Sequence, residues 1–530
     1  MSARRLHGIA LVAAVLLLDV SLTFHNIWPT PAISWRGEIS AELAAYMLIL
    51  IAASRGRRVS SGVLRAVTIV FVCLVVGRYA DVTATALFGR DINLYWDLRF
   101  IPDVVSLLAK AAHVWLVLGV AIAAATVFGL LYVVLRWALG RVAAAASDGR
   151  ERLVLGAVAA IALLLFAGQT LAGAHVPGLQ FARPVTLTYA RQIGVAVRAM
   201  AGKTKVAPSP AMTSNLARVK GADVYLIFLE SYGAVTFDRP EFVQRLAPDR
   251  AAFDAAIHET HRDVVSAFVE SPTFGGSSWL AHISLMSGVE VKDPDVNAML
   301  MAQKRETIVT NFKRKGYRTI ALMPGLWQAW PEGAFYGFDD IYGGERLDYR
   351  GPQFGWFDIP DEVALAKFDA LEGNRPGRLP LFMFFPTIST HTPFRPTPPY
   401  QPDWTRVLTE QPFDQRDLDR SFDEQADWLH MGPSYADAMA YTYATLSGYL
   451  RARADRDFVM ILLGDHQPPA LVSGEGAPWD VPVHVIASRP DVLDQLVSKG
   501  FRRGLTPARP DLGRMHQLLP VLLDALGTGH

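Results

Sequence analysis

The most chemically suggestive residues of this 530-residue chain sit at the ends of apolar runs. Val224-Tyr-Leu-Ile-Phe-Leu leads into Glu230-Ser231-Tyr232-Gly233, and Phe458-Val-Met-Ile-Leu-Leu leads into Gly464-Asp465-His466. An apolar strand that ends in a carboxylate places it at a sheet edge, where open α/β sheets collect reactive groups. Adjacent Asp and His after a buried strand can give an oxygen and a nitrogen to one ion such as Zn²⁺ or Mn²⁺. Each motif also has a plainer reading. Glu230 could cap the following turn, and Asp465-His466 could be an ordinary turn.

A third stretch adds a hydroxyl. Ser271-Pro-Thr-Phe-Gly275-Gly276-Ser277-Ser278-Trp279 runs into Leu280-Ala-His282-Ile-Ser-Leu-Met-Ser287-Gly288. Two glycines and then hydroxyl residues at a helix start bring backbone amides and a positive dipole end to an attacked phosphate. A serine there can also cap the helix, which is the commoner role for one taken alone.

These residues need a scaffold, and the texture after residue 221 supplies one. Apolar runs of strand length at Val224–Leu229, Arg318–Met323, Leu381–Phe385, Phe458–Leu463 and Val481–Ala487 alternate with helical patterns near 277–287, 305–315, 435–453 and 512–526. Continuous apolar strands between helices predict a mainly parallel sheet covered on both faces. Residues 176–220, with Pro177, Pro184, Pro208 and Pro210, read as a linker with a short surface helix around 188–202. No repeat or low-complexity tract occurs.

Before residue 175 the chain is different. Five apolar stretches near 8–27, 38–54, 66–88, 114–137 and 153–173 approach the ~20 residues that cross a hydrocarbon core. Arg4 and Arg5, then Arg55, Arg57, Arg58 and Arg65, then Arg136, Arg141, Arg150 and Arg152 fall on alternate loops, whereas the first interspan loop has only Arg36. Placing the Arg-rich loops in the cytoplasm satisfies the positive-inside rule and puts everything after residue 175 on the outer face. Tyr95 and Trp96 then suit an interfacial belt. Asp19, Arg78 and Asp81 lie within spans and need partners there. The composition agrees: 51% hydrophobic residues and a mean hydropathy of +0.21 predict a lipid-embedded part. A net charge of +1 argues against nucleic acid as a partner. Cys73 is the single cysteine, so an exported domain would rest on its core and not on disulfides.

Glu after the first strand, a Gly-Gly-hydroxyl helix start and a late Gly-Asp-His occur in an order that resembles the sulfatase-like transferases of the alkaline phosphatase superfamily. Lipoteichoic acid synthases, periplasmic-glucan phosphoglycerol transferases and lipid A phosphoethanolamine transferases belong to it. With their N-terminal spans before an exported catalytic domain, these families resemble nearly the whole chain. The resemblance implies a five-helix transmembrane bundle over 1–175, a linker, and an α/β alkaline-phosphatase-like domain over 221–530. It places the protein in a bacterial cytoplasmic membrane with the catalytic domain on the periplasmic side.

In those families the usual nucleophile is a threonine in a Gly-Gly-Gly-Thr type stretch, followed downstream by Thr-Gly. Matching Ser287-Gly288 to that pair puts Ser278, and not Ser277, at the nucleophile position, with serine for threonine and one glycine fewer. Ser277 stays open as the alternative. The resemblance further implies that Glu230, Ser278, Asp465 and His466 hold a divalent metal ion, Zn or Mn, with Mg a further option. Thr387-Ile-Ser-Thr-His391-Thr-Pro-Phe394 matches a His-x-Pro-Phe-like stretch, so His391 would contact the substrate phosphate; alternatively it is a loop histidine bonded to backbone. Trp327 and Trp330 fall where relatives place aromatics against the headgroup, or are core residues. His282 stands where relatives tend to carry an acid, and His484 reads as a packed histidine.

The implied activity is transfer of phosphoglycerol or phosphoethanolamine from a phospholipid donor to an envelope glycan or lipid acceptor through a phosphoserine. The lack of cysteines in the exported domain tilts the reading toward phosphoglycerol. A phosphodiester or phosphonate hydrolase would share every ligand, and a catalytically degenerate scaffold is the reading of another class. Sulfate-ester hydrolysis is disfavoured, because no Ser or Cys followed by x-Pro-x-Arg stands at the nucleophile position.

Overall fold

The computed structural model of the chain describes every residue except 1–2, 28–29, 55–58, 89–91, 93–113, 173–178, 201–205, 327–329, 331–332, 355–358 and 529–530. Tyr95, Trp96, Trp327, Arg55, Arg57 and Arg58 therefore lie outside the described residues. The chain divides into two compact units, Met1–Leu87 with Asp91–Lys203, and Phe88–Arg90 with Thr204–His530.

Every apolar stretch of the first unit is helical: α1 (Ala3–Thr23), α2 (Ala41–Ser54), α3 (Ser61–Phe88), α4 (Val114–Ser147) and α5 (Gly149–Ala172). Among the described residues three segments are long and apolar enough to cross a membrane, Ser61–Ala86, Ala121–Ser147 and Gly149–Leu171. His7–Thr23 and Ala41–Ser54 are shorter apolar helices. The 14 residues of α2 rise only about 21 Å, less than the ~30 Å hydrocarbon core.

The unit's core joins Ala14 and Leu18 of α1, Leu43 and Met47 of α2, Ala138, Leu139 and Val142 of α4, and Leu155 and Ala159 of α5. Small residues there let helix backbones approach closely. Two charged groups within the helices find partners nearby. Arg78 donates from Nε to the Phe24 carbonyl at 2.9 Å and lies 3.1 Å from His25 Nε2, which meets Glu38 at 2.8 Å. Asp19 accepts from the Ser40 N–H at 2.8 Å. A sixth helix, α6 (Val185–Met200), begins where Glu42 accepts the N–H groups of Val185 and Thr186 at 2.9 and 2.5 Å. That carboxylate satisfies two of the donors that a helix start leaves unpaired.

The second unit is an eight-stranded sheet with helices on both faces. Its strands are β1 (Asp223–Leu229), β2 (Asp263–Glu270), β3 (Arg318–Met323), β4 (Asp340–Gly343), β5 (Leu381–Pro386), β6 (Phe458–Gly464), β7 (Asp480–Ala487) and β8 (Arg502–Arg503). They lie in the order β8-β2-β7-β6-β1-β5-β3-β4. From β6 to β4 all pairings are parallel; β7 pairs antiparallel with both β6 and β2, and β8 antiparallel with β2.

The sheet is buried on both sides because β1 alternates. Tyr225, Ile227 and Leu229 enter one core, against α7 (Ala247–Glu259), α10 (Asp361–Phe368) and α11 (Gly432–Ala452). Val224, Leu226 and Phe228 enter the other, against α8 (Ser278–Ser287), α9 (Ile308–Arg314), α12 (Pro490–Ser498) and α13 (Met515–Leu526). Successive strand side chains point to opposite faces, so a continuous apolar run is what a twice-covered strand requires. The α9 helix starts later than its apolar pattern because the Thr307 side chain caps it, accepting the Thr310 N–H at 3.3 Å.

Candidate active site

Three adjacent strands end together. Glu230 follows β1, Thr387 to His391 follow β5, and Asp465-His466 follow β6. Gly464 makes the last crossing tight: a Cβ there would collide with the Tyr232 carbonyl oxygen. Ser278 has farther to come. It follows β2, which is separated from β1 by β7 and β6, and the chain returns across that edge by pairing as it goes. Ser271 Oγ donates to the Asp465 carbonyl at 2.5 Å, and the Gly275 N–H donates to the Gln467 carbonyl at 3.0 Å. Gly275, Gly276 and Ser277 then have φ of 65°, 145° and 64°. Three consecutive positive φ angles turn the chain sharply into α8, at little cost for the glycines and with strain at Ser277.

The turn leaves Ser277 exposed and points Ser278 inward. Ser278 Oγ donates to Glu230 Oε2 at 2.8 Å and lies 3.2 Å from His466 Nε2. His466 Nε2 is 3.4 Å from Glu230 Oε1 and 3.8 Å from Asp465 Oδ1. His466 Nδ1 donates to the Gln467 carbonyl at 2.8 Å, so in the neutral ring the Nε2 lone pair faces this cluster.

The electrostatics of the cluster call for a cation. Glu230, Asp465 and His466 are all buried, and one ligand atom from each lies within 4.8 Å of the others. Burial works against ionised Glu230, yet His466, His391 and hydrogen bonds hold its carboxyl down at about 2. Burial and the Glu230 charge push Asp465 well above the usual carboxylate range. Asp465 Oδ2 has no hydrogen-bond partner. Two buried carboxyls that cannot both ionise unaided, an orphaned oxygen and a histidine lone pair make a donor set suited to a divalent ion.

Residues without a role in the sequence reading tie the cluster down. Ser231 sits at φ 56°; its N–H donates to Asp465 Oδ1 at 2.8 Å and its hydroxyl to Glu230 Oε1 at 3.1 Å. Thr387 Oγ1 accepts the Glu230 N–H at 3.0 Å, and Thr390 Oγ1 donates to the Glu230 carbonyl at 2.5 Å. The two threonines stand four and one residues before His391 in sequence, which was their only visible signal.

His391 lines a cleft with Phe354, Ile359 and Phe394, and its charge acts on both Glu230 and His466. Its Nδ1 donates to the Thr392 carbonyl at 2.8 Å. A protonated ring is then needed for Nε2 to donate outward. Trp330 is half-buried, its ring 5.4 Å from that of Tyr336, and it packs against the core on the α8 side of the sheet.

His282 is buried one turn beyond Ser278, 4.5 Å from the Phe228 ring and 5.4 Å from Phe384. Burial drives its pKa down to about 3, and Nε2 has no partner. His484 is packed within the sheet, between Ser266 Oγ at 2.6 Å and the Tyr232 hydroxyl at 3.0 Å.

A mainly parallel sheet with carboxylates, histidines and a helix-start hydroxyl at its carboxyl edge is the architecture of a sulfatase-like enzyme. Residues 285–482 match the family model described as Sulfatase. The matched segment includes His391, Asp465 and His466, whereas Glu230 and Ser278 lie upstream of it. No curated protein sequence matches the chain.

Several solved structures are similar. The lipooligosaccharide phosphoethanolamine transferase EptA from Neisseria meningitidis is 12% identical, with 97% of this chain and 96% of that one covered and a TM-score of 0.46. The lipoteichoic acid synthase LtaP from Listeria monocytogenes is 15% identical, covering 61% and 76% with a TM-score of 0.40. The phosphoglycerol transferase GacH from Streptococcus pyogenes is 13% identical, covering 59% and 76% with a TM-score of 0.36.

Proposed function

We propose that the chain is a membrane-anchored, metal-dependent transferase that moves a phospholipid-derived headgroup to a cell-envelope acceptor through a phosphoserine at Ser278. The observation that carries this reading is the meeting of Ser278 Oγ with Glu230 Oε2 and His466 Nε2, at 2.8 and 3.2 Å, in a sulfatase-family domain. Phosphoglycerol is the favoured headgroup and phosphoethanolamine the alternative.

In the first step the Ser278 Oγ–P bond forms and the P–O bond to diacylglycerol breaks, the serine proton leaving with the diacylglycerol. In the second an acceptor hydroxyl bonds to phosphorus, the Oγ–P bond breaks and a proton returns to Ser278. Glu230 and His466 orient the hydroxyl for attack. The first turn of α8 and His391 face the equatorial oxygens. A bound divalent ion, Zn or Mn, held by Glu230, Ser278, Asp465 and His466, would lower the pKa of the hydroxyl and offset phosphate charge. Trp327 and Trp330 are proposed headgroup contacts.

In this reading α1 to α5 cross the membrane five times, with residues 1–175 as the membrane domain and 176–220 as a linker. Residues 221–530 then lie on the periplasmic side of a bacterial cytoplasmic membrane. Anchoring raises the effective concentration of a lipid donor at the bilayer surface.

The test compares membrane lipids with and without the protein, beside a Ser278→Ala variant. Diacylglycerol should appear with the active protein and not with the variant, together with a headgroup on a glycan or lipid. Headgroup released only to water would make the protein a hydrolase, and release that survives in Ser278→Ala would remove the assigned nucleophile.

A further inference from the structure

We infer that Asp361 is a positioning residue for His391, gripping the backbone of the turn from which that histidine projects. The inference rests on the proposed phosphate contact of His391.

Asp361 is the first residue of α10 and is 2% exposed. Its Oδ1 accepts the Ile388 N–H at 2.9 Å and its Oδ2 accepts the Ser389 N–H at 2.9 Å. Both carboxylate oxygens are thus spent on two successive peptides just past the end of β5. The His391 N–H closes onto the Ile388 carbonyl at 3.0 Å, so the gripped residues form the turn beneath the histidine.

Thr387 and Thr390 tie the same turn to Glu230, the residue that follows β1. Asp361 supplies the anchor from α10. Without it the turn would keep its threonines and the bond from the Asp361 N–H to Ser389 Oγ at 3.4 Å but lose both peptide N–H anchors, and the imidazole could swing relative to Ser278.

The chemistry favours an orienting role over simple helix capping. Charge-assisted N–H bonds are about twice as strong as neutral ones, and a carboxylate can receive both in one fork. Burial pushes the Asp361 carboxyl up to about 6, and no basic side chain is among the main groups acting on it. A site that needed only a cap would be served by Ser or Asn without that cost. Asn at this position would turn one acceptor into an amide donor facing an N–H, removing one bond and adding repulsion.

Full-length protein in detergent, loaded with zinc, is titrated with inorganic phosphate by calorimetry while zinc content is measured by mass spectrometry. Asp361→Asn should weaken phosphate binding about tenfold, as expected for loss of a group that orients a ligand. His391→Ala should weaken it comparably, and the double variant should be no weaker than His391→Ala alone, with zinc content unchanged. Asp361→Ser, which removes the carboxylate fork while leaving the Pro360 N-cap of α10 in place, takes the place of the Asn variant should that one not fold.

Unchanged affinity in either single variant, losses that multiply in the double variant, or loss of zinc on substituting Asp361 would overturn the inference. Phosphate binding does not depend on which headgroup is moved. Failure to release diacylglycerol with this pattern intact would therefore count against the transferase and not against Asp361.

Discussion

The Ser231 N–H reaches Asp465 Oδ1 at 2.8 Å from a residue held in the left-handed region, at φ 56°. Its hydroxyl reaches Glu230 in the other direction. One strained residue therefore bridges the two carboxyls that follow β1 and β6. Strain of this kind costs about 1–3 kcal/mol and persists only where the surroundings fix it.

Substituting Ser231 separates the strain from the hydroxyl. Ser231→Gly keeps the N–H, relieves the backbone and removes the bond to Glu230. It should raise the melting temperature slightly or leave it unchanged, while weakening zinc affinity about tenfold. Thermal melts of the metal-free protein and zinc titrations read the two effects separately. Wild-type zinc affinity in the variant would leave Ser231 with a backbone role alone.

The two serines at the start of α8 should behave differently. Ser278→Ala should lower diacylglycerol release by at least about a thousandfold, because the attacking atom is gone. Ser277→Ala should stay within about tenfold of wild type, since that side chain points to solvent. A reversed order in the same lipid assay would move the nucleophile to Ser277.

Removing the metal exposes the repulsion between Glu230 and Asp465. Chelation should lower the melting temperature of the wild-type protein. Asp465→Asn should bind zinc poorly, yet be more stable than chelated wild type by about 1–3 kcal/mol, because the metal-free fold no longer has to protonate a carboxyl buried beside Glu230. Equal stability of the two metal-free forms would show that the pair is not strained.

His484 gives a pH dependence unconnected with chemistry at the site. Its pKa is pushed down to about 3, by burial first and then by the charge of Arg250. The unfolded chain takes up a proton at this residue below its ordinary pKa of ~6.5, and the folded chain does not until about pH 3. Stability should therefore fall as pH drops through that window, by about 2 kcal/mol at pH 5. His484→Gln should flatten the slope in melts between pH 7.5 and pH 5. An unchanged slope would mean that the imidazole is charged in place.

What could be read from the residues depended on how locally the information was written. The runs at β1, β3, β5, β6 and β7 were legible because both faces of each are covered, so apolar residues continue without a break. β2 carries Ser266 in its middle and charged residues at both ends, and β4 is only four residues long, so neither stands out from its surroundings. The antiparallel placement of β7 follows from pairings on both its edges, which no property of its own sequence records.

Glu230, Ser278, Asp465 and His466 were found by order and type, and the fold brings all four together. Asp361 was invisible. Its meaning lies wholly in two amide groups of a distant turn, and an acid at a helix start has a commoner explanation.

The route of the chain to Ser278 also sets when the site can exist. The serine and His466 are 188 residues apart, and the serine reaches the edge only by lying across the residues that follow β6. A chain interrupted before Asp465 would carry the attacking hydroxyl, Glu230 and His391, but would lack the surface over which the serine's loop is drawn. Such long-range closures come late in folding. On the proposed function, a chain cut before Asp465 would therefore hold its parts without a working site, and chemistry would wait for a finished molecule.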